Sequence, residues 1–520
     1  MLYNRNRARQ SLIDTVAFRI ASQAATVLGY VVLVRGMSRE DFGVFNLLYA
    51  FIPVFSMVAS FGLEQVLRRY QPEYLQAGNL AAASWLVKIV SRGRFATNVV
   101  LLALVLLGWG YIAPVFKLTP YRGVFVIFSL LTLLHFQVSI LQMALASRML
   151  HRYSVGATAL LSWVKLATYG LLMWQGSLTL TNAVLADTLA YGVVYVGAYV
   201  AYRRCTKLDG ATTPYRPEPA ERRRLVRYGL FNSFNDAGVL LLYSTVDNFV
   251  IAAVIDTVSV GIYSFYSRLS QMTQNLLPQR LFDNVVQPLL FAVPQAQAVT
   301  KIPEYFTFLL NMNLLLQWPV LAFSVVYHQE IVQVIFGGNF LEYSWLLPVV
   351  MAFCMLNTIA DPVSIIAQYE ERAGVILLSK VFAAYNILAM LVLVPSYGII
   401  GAVVASGSAQ AMKNLFIWWH VRRSAVWLNA LRAMLVGTAL WGAAALAGFA
   451  CKALLPVPPP VQLLVGLVLV AGAMLLHLRG PAVSASDRRI LASVMHGRET
   501  ALLGRLGLMP AAMPEKDVRA

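Results

Sequence analysis

A soluble chain of 520 residues would divide into about three or four domains, but 59% of this one is hydrophobic and only 12% is charged. That balance excludes a disordered chain and an ordinary soluble protein. It leaves a helical membrane protein with many crossings, because about 20 helical residues span the hydrocarbon core. The net charge of +18 carries no argument for nucleic acid until the 41 Lys and Arg residues are divided between loops and membrane.

Residues 1–10 are basic and lead into an apolar stretch at 11–35. This stretch is too long for a signal-peptide core and lacks an Ala-x-Ala-like exit, so it reads as an uncleaved first helix. Further apolar runs follow at 42–67, 95–113, 122–147, 155–174, 178–202, 228–254, 258–282, 305–327, 343–367, 375–395, 398–421, 431–455 and 461–478. Together they predict an all-α polytopic protein with about fourteen transmembrane helices. Cys205, Cys354 and Cys451 form no CxxC pair and read as packing residues.

The distribution of Lys and Arg tests this layout. With the N-terminus inside, about 31 of them fall on the cytoplasmic side and about 5 outside, as the positive-inside rule requires. Lys88, Arg92 and Arg94 are among those expected in inside loops, and both termini are expected to be cytoplasmic. The expected organisation is an N-terminal lobe at 1–202, a basic cytoplasmic linker at 203–227, a C-terminal lobe at 228–421, two additional helices at 422–478 and a basic tail at 479–520. Proline and charge mark the linker. Phe42-Gly43-Val44-Phe45 and Val260-Gly261-Ile262-Tyr263 echo each other at the starts of the second and eighth helices, as an internal repeat would. The tail alternates arginines with apolar residues and reads either as an amphipathic helix on an anionic leaflet or as a disordered tail.

An ionisable side chain at the bilayer centre costs about 2.5–3.5 kcal/mol on insertion scales, so it should face a partner, the bundle interior or water. On the first helix Thr15, Arg19, Gln23, Thr26 and Tyr30 share one face, and on the eighth Ser264, Arg268, Gln271, Asn275 and Gln279 do. The seventh carries Asn232, Asp236, Tyr243 and Asp247, and the second Asn46, Pro53, Ser60 and Glu64. Such stripes can be helix–helix glue, but an arginine asks for water or an anion, and its donor fork suits phosphate. Lys165 lies mid-helix and is a cavity candidate. Lys380 and Lys413 lie near helix ends, where they can snorkel, although Lys413 shares a face with Ser406 and Gln410.

The intramembrane acids Asp187, Asp236, Asp247 and Asp361, with Asp14 and Glu64 nearer the surface, either pair with neighbouring cations or handle a coupling ion, H⁺ or Na⁺. Asp236 leads, followed by Asp361 beside Pro362, with Asp247 on the same stripe as Asp236. His135 reads as a hydrogen-bonded interface residue. There is no phosphate-cradling Gly-rich loop with its Lys and no HExxH motif, so neither an enzyme nor a resident cofactor is expected.

Ser38-Arg39-Glu40-Asp41-Phe42-Gly43-Val44-Phe45 followed by Ser60-Phe61-Gly62-Leu63-Glu64 resembles the opening of bacterial oligosaccharide flippases, members of the multidrug/oligosaccharidyl-lipid/polysaccharide exporter superfamily. Tyr385-Asn386-Ile387, with Val394-Pro395-Ser396-Tyr397-Gly398-Ile399-Ile400-Gly401-Ala402, resembles that family's eleventh helix, turn and twelfth helix. The resemblance implies two six-helix lobes facing across a cavity in a bacterial inner membrane. It also implies a polyprenyl-pyrophosphate-linked oligosaccharide as substrate, and membrane lipids and polysaccharide polymerase or assembly proteins as partners. By helix and face, Arg19 and Arg268 match the cationic cavity positions, with Lys165, Gln23, Gln271, Asn275 and Lys413 as further substrate contacts. A drug or cation antiporter of the same fold is the nearest alternative, and a membrane glycan polymerase or ligase a more distant one.

Overall fold

A computed structural model of the chain describes residues 5–208, 215–240, 244–277, 295–369, 372–421, 424–480 and 487. All regular structure among them is helical. In chain order the helices are α1 (Arg5–Gly36), α2 (Arg39–Ser60), α3 (Leu63–Gln76), α4 (Leu80–Leu107), α5 (Trp109–Val115), α6 (Arg122–Ala146), α7 (His151–Trp174), α8 (Leu180–Leu208) and α9 (Pro219–Leu240). They continue with α10 (Ser244–Val254), α11 (Thr257–Asn275), α12 (Gln295–Glu330), α13 (Leu346–Tyr369), α14 (Ala373–Leu378), α15 (Val381–Val421), α16 (Ser424–Leu454) and α17 (Pro459–Arg479).

Ten of the described helical segments are long and apolar enough to cross a membrane. One of them, Gly374–His420, is 47 residues long and runs through both the eleventh and the twelfth expected spans. It is interrupted at Gly398, whose φ of 59° and ψ of −136° are not helical, where the sequence predicts the turn. The described parts of the spans expected at 228–254, 258–282 and 343–367 are helical but are not among these ten, so helix properties of the described residues alone do not give the number fourteen. The basic tail, apart from Asp487, lies outside the described residues.

The third span differs from expectation. Instead of starting near 95, α4 begins at Leu80 and carries a continuous buried stripe through Ala82, Ala83, Leu86, Val87, Val90, Arg94 and Asn98. Spacings of three and four place these residues on one face. Arg94 is therefore a fully buried member of that face, not a loop residue. Its charge is matched by Glu64, 3.4 Å from Nε.

The chain forms two compact units, residues 1–265 with 386–405, and residues 266–385 with 406–520. In the first, α2 is the organising helix. Ser38 Oγ caps it by accepting from the Asp41 amide at 3.0 Å. Glu40 accepts from Tyr121 Oη at 2.8 Å, and Asp41 from the Leu180 amide at 3.3 Å. The helix ends where Phe61 and Gly62 take positive φ, 45° and 69°. Near that end, the Ser56 carbonyl accepts from Arg94 Nη1 at 3.1 Å and the Ala59 carbonyl from Thr97 Oγ1 at 2.7 Å.

Both ends of α2 meet other helices backbone to backbone. A Cβ on Gly43 would stand 1.9 Å from the Thr257 carbonyl oxygen, and one on Gly261 3.1 Å from Gly43 Cα. At the far end a Cβ on Gly62 would stand 1.8 Å from the Gly229 carbonyl oxygen. The two echoed glycine motifs thus pack directly against each other, an approach open only to residues without a side chain. Between these points Phe51 meets Phe249 edge-on at 4.7 Å.

The short helix α3 buries Val66, Leu67 and Tyr70 against Leu86, Val90, Ala144 and Leu225. A polar clasp joins it to the segment that opens α9. Tyr74 Oη and Tyr215 Oη both donate to Glu221, the second at 2.5 Å. Arg224 reaches Glu73 at 3.2 Å and lies 4.8 Å over the Tyr70 ring. Burial and then donation to Glu221 push the Tyr215 hydroxyl up to about 12, and the same causes push Tyr74 up.

In the second unit, Phe306, Leu310 and Leu314 of α12 pack with Met355, Val363 and Ile366 of α13 and Ile417 of α15. The helices α16 and α17 pack along α12 through Ala322, Trp441 and Ala473. Trp441 Nε1 donates to His477 Nδ1 at 3.1 Å, and Lys452 pairs with Glu330 at 2.5 Å.

Two measurements check these contacts. Gly43→Ala should lower stability in detergent by about 1–3 kcal/mol, the usual cost of overpacking, whereas Gly110→Ala, where a Cβ meets open space, should not. Because the folded Tyr215 titrates above its ordinary value of 10.0, the clasp is complete below that pH and is lost as pH rises through about 12. Phenolate absorbance should follow this change, and Glu221→Gln should move the titration down.

Candidate functional site

The polar stripes divide into groups that hold helices together and groups that remain accessible. On α1, Ser22 and Thr26 meet Ser162 of α7 at 2.9 and 3.2 Å. Tyr30 Oη donates to the Phe265 carbonyl at 3.3 Å, with its ring stacked on that of Phe265. This half of the stripe is helix–helix glue. Arg19, further toward the N-terminus, is half-buried. Gln23 is half-buried too, and its Nε2 is buried without a hydrogen-bond partner among the described residues. The side chain of Thr15 lies outside the described residues, as does that of Asp14.

On α11 the sorting is similar. Ser264 Oγ meets Asn248 Oδ1 at 3.1 Å and is buried, whereas Arg268, Gln271 and Asn275 are exposed. These three residues recur at helical spacing, so α11 presents one accessible polar face led by a cation. Gln279 lies outside the described residues. On α15, Gln410 accepts from Asn357 of α13, and Asn414 Nδ2 donates to Asn357 Oδ1 at 2.8 Å. Lys413, on the same stretch of α15, is half-buried.

One densely connected polar group is one for which the sequence offered only its two charges. Asp187 of α8, fully buried, stands 2.9 Å from Lys165 Nζ of α7 and accepts from the hydroxyls of both Tyr49 and Tyr169. The Lys165 ammonium also lies 4.8 Å from the Tyr191 ring centre. Tyr191 Oη in turn meets His135 Nδ1 at 2.9 Å, so His135 is hydrogen-bonded at a helix interface, as its sequence context suggests. Lys165 is engaged by a carboxylate within the first unit. For it to touch an anionic substrate, that anion would have to exchange with Asp187.

Asp247 of α10 is also buried. It accepts from Tyr263 Oη at 2.5 Å and from Asn386 Nδ2 at 3.0 Å, tying α10 to α11 and to the 386–405 part of α15. Asn386 belongs to the Tyr385-Asn386-Ile387 motif, so the motif's polar residue is a partner of an intramembrane acid. Asp236 and Asn232 on α9 and Asp361 on α13 occupy positions whose side chains lie outside the described residues, as Tyr243 does altogether. Sequence reasoning missed Arg94, Tyr49, Tyr169 and Asn386 as partners of charges. The available signal was a lone acid and a lone base on successive spans, 165 and 187.

The family model for polysaccharide biosynthesis proteins matches residues 10–281, more than half of the chain. The chain belongs to the polysaccharide biosynthesis protein family. Among curated relatives of this family member, the probable low-salt glycan biosynthesis flippase Agl15 of Haloferax volcanii is 22% identical over 399 residues, 75% of this chain and 78% of the relative. Among solved structures, the lipid II flippase MurJ in an inward closed conformation superposes with a TM-score of 0.64 at 13% identity, covering 89% of this chain and 99% of that one. An inward-facing multidrug resistance MATE transporter of the MOP superfamily superposes with a TM-score of 0.61 at 13% identity, covering 80% and 98%. The family member therefore has the all-helical membrane fold of these transporters.

Breaking the Lys165–Asp187 pair from one side strands the other charge. Asp187→Asn should cost about 3–5 kcal/mol in a detergent unfolding assay, and the double variant Lys165→Met/Asp187→Leu should cost less than the sum of Lys165→Met and Asp187→Leu made singly.

Proposed function

We propose that the protein flips a polyprenyl-pyrophosphate-linked oligosaccharide from the cytoplasmic to the outer leaflet of the membrane during surface polysaccharide assembly. Its membership of the polysaccharide biosynthesis protein family carries this reading, and a fold shared with a lipid flippase supports it. The task is to move a hydrated, multiply charged head group past a low-dielectric core while the polyprenyl tail stays in lipid. Charge-assisted bonds from arginines lower that barrier, and Gln and Asn side chains suit sugar hydroxyls. Arg19, half-buried on α1, and Arg268, exposed on α11, are the proposed diphosphate contacts. Gln23, Gln271, Asn275 and Lys413 are the proposed polar contacts for the rest of the head group. Coupling to H⁺ or Na⁺ is assigned to Asp236, Asp247 and Asp361. Of these, Asp247 has a described carboxylate, buried and already receiving two donors, which suits an occupied or proton-exchanging site.

Reconstitution in proteoliposomes with a fluorescent polyprenyl-pyrophosphate sugar tests the proposal. Wild-type protein should move the lipid between leaflets, and Arg19→Ala or Arg268→Ala should slow it at least tenfold with normal membrane insertion. Wild-type rates in both variants would remove the proposed anion contacts, and dye export without lipid movement would support the antiporter instead.

A further inference from the structure

The first helical turns of α9 sort their side chains by direction. Leu225 and Gly229 turn inward against α2 and α3, and Arg224 is held by Glu73 and Tyr70. The outward side carries two parallel rows at a spacing of four residues. One is Arg222, Val226 and Leu230, and the other is Arg223, Arg227 and Phe231; all six are exposed. Along each row the character changes from cationic to apolar. Val226 is 54%, Leu230 45% and Phe231 67% exposed, a large apolar surface directly following three guanidinium groups. Arg227 lies 5.8 Å from the Phe231 ring centre, so the charged and apolar ends adjoin. These rows line an open groove of about 770 Å³. Pro217 and Pro219 also line it and restrict the backbone there. Among the described residues, its lining contains three arginines and no acid.

A groove that is cationic at one end and apolar at the other fits an amphiphile with an anionic head and a hydrocarbon chain. We infer that it binds the diphosphate head group and the first chain units of a polyprenyl-linked lipid, which would make it a docking site distinct from Arg19 and Arg268. The inference rests on the flippase reading for the identity of the lipid. Charge matching favours the diphosphate: a diphosphate diester carries about two negative charges, which guanidinium forks can bind bidentately, whereas a phosphodiester head group carries about one and would leave two of the three cations unmatched rather than one. The three arginines lie within six residues of helix, five rises apart, an axial span of roughly 7.5 Å, short enough for all three to reach one head group.

The test uses the full chain in phosphatidylcholine nanodiscs with a short-chain polyprenyl-diphosphate sugar as the probe. Arg222→Gln/Arg223→Gln/Arg227→Gln should raise Kd at least tenfold and flatten its salt dependence, with a wild-type melting curve. Should the triple variant unfold, Arg223→Gln/Arg227→Gln is read in its place. Phosphatidylglycerol at the same concentration should compete poorly. An unchanged Kd, or equal competition by phosphatidylglycerol, would overturn the proposal, the latter by making the groove a bilayer-lipid contact. Flipping assays on the same proteins separate the two hypotheses. If wild type flips lipid and the variants show the same half-saturating concentration, only the docking site fails. If wild type does not flip lipid, the flippase reading fails while the binding result stands.

Discussion

A charge placed among apolar helices must be neutralised or hydrated, and the first unit is arranged around that requirement. Lys165 and Asp187 neutralise each other between α7 and α8, with tyrosine hydroxyls filling the remaining acceptor positions. Arg94 and Glu64 do the same beside the break that ends α2. In both cases the pair joins consecutive helices, α7 to α8 and α3 to α4, so the charges fix which of their faces meet. Apolar side chains alone would leave that choice weakly specified in lipid, where burying hydrocarbon against a neighbouring helix brings little advantage over burying it in acyl chains.

The same requirement separates structural from accessible polar groups. Ser22, Thr26, Tyr30 and Ser264 are consumed in helix contacts, while Arg268, Gln271 and Asn275 remain exposed. A single stripe can thus serve two purposes along its length. Near the start of α9 the sorting occurs around the helix rather than along it, with Leu225 buried, Arg224 directed to Glu73 and Arg222, Arg223 and Arg227 exposed.

Much of the fold was legible because its signals are local. Apolar runs of span length marked most helices, and Gly398 sits where the Pro395–Gly398 stretch predicted a turn. What escaped was set by tertiary contact. The true start of α4 is hidden because Lys88, Arg92 and Arg94 resemble a loop by composition, although Arg94 continues a buried stripe whose partner, Glu64, is distant in sequence. Lys165 was legible as unusual, but its engagement by Asp187 depends on the packing of α7 against α8, which no periodicity encodes. The Gly43 and Gly261 motifs were recognisable as an echo, yet nothing in either showed that they touch.

That touching has a mechanical consequence. The contacts at the two ends of α2 are made of bare backbone surfaces at Gly43, Gly261, Gly62 and Gly229, so they rely on closeness of fit and short-range dispersion. Such attraction vanishes within a small separation. A joint of this kind behaves like a latch with a short throw: firm when seated, and released by a displacement much smaller than that needed to unthread interlocked side chains.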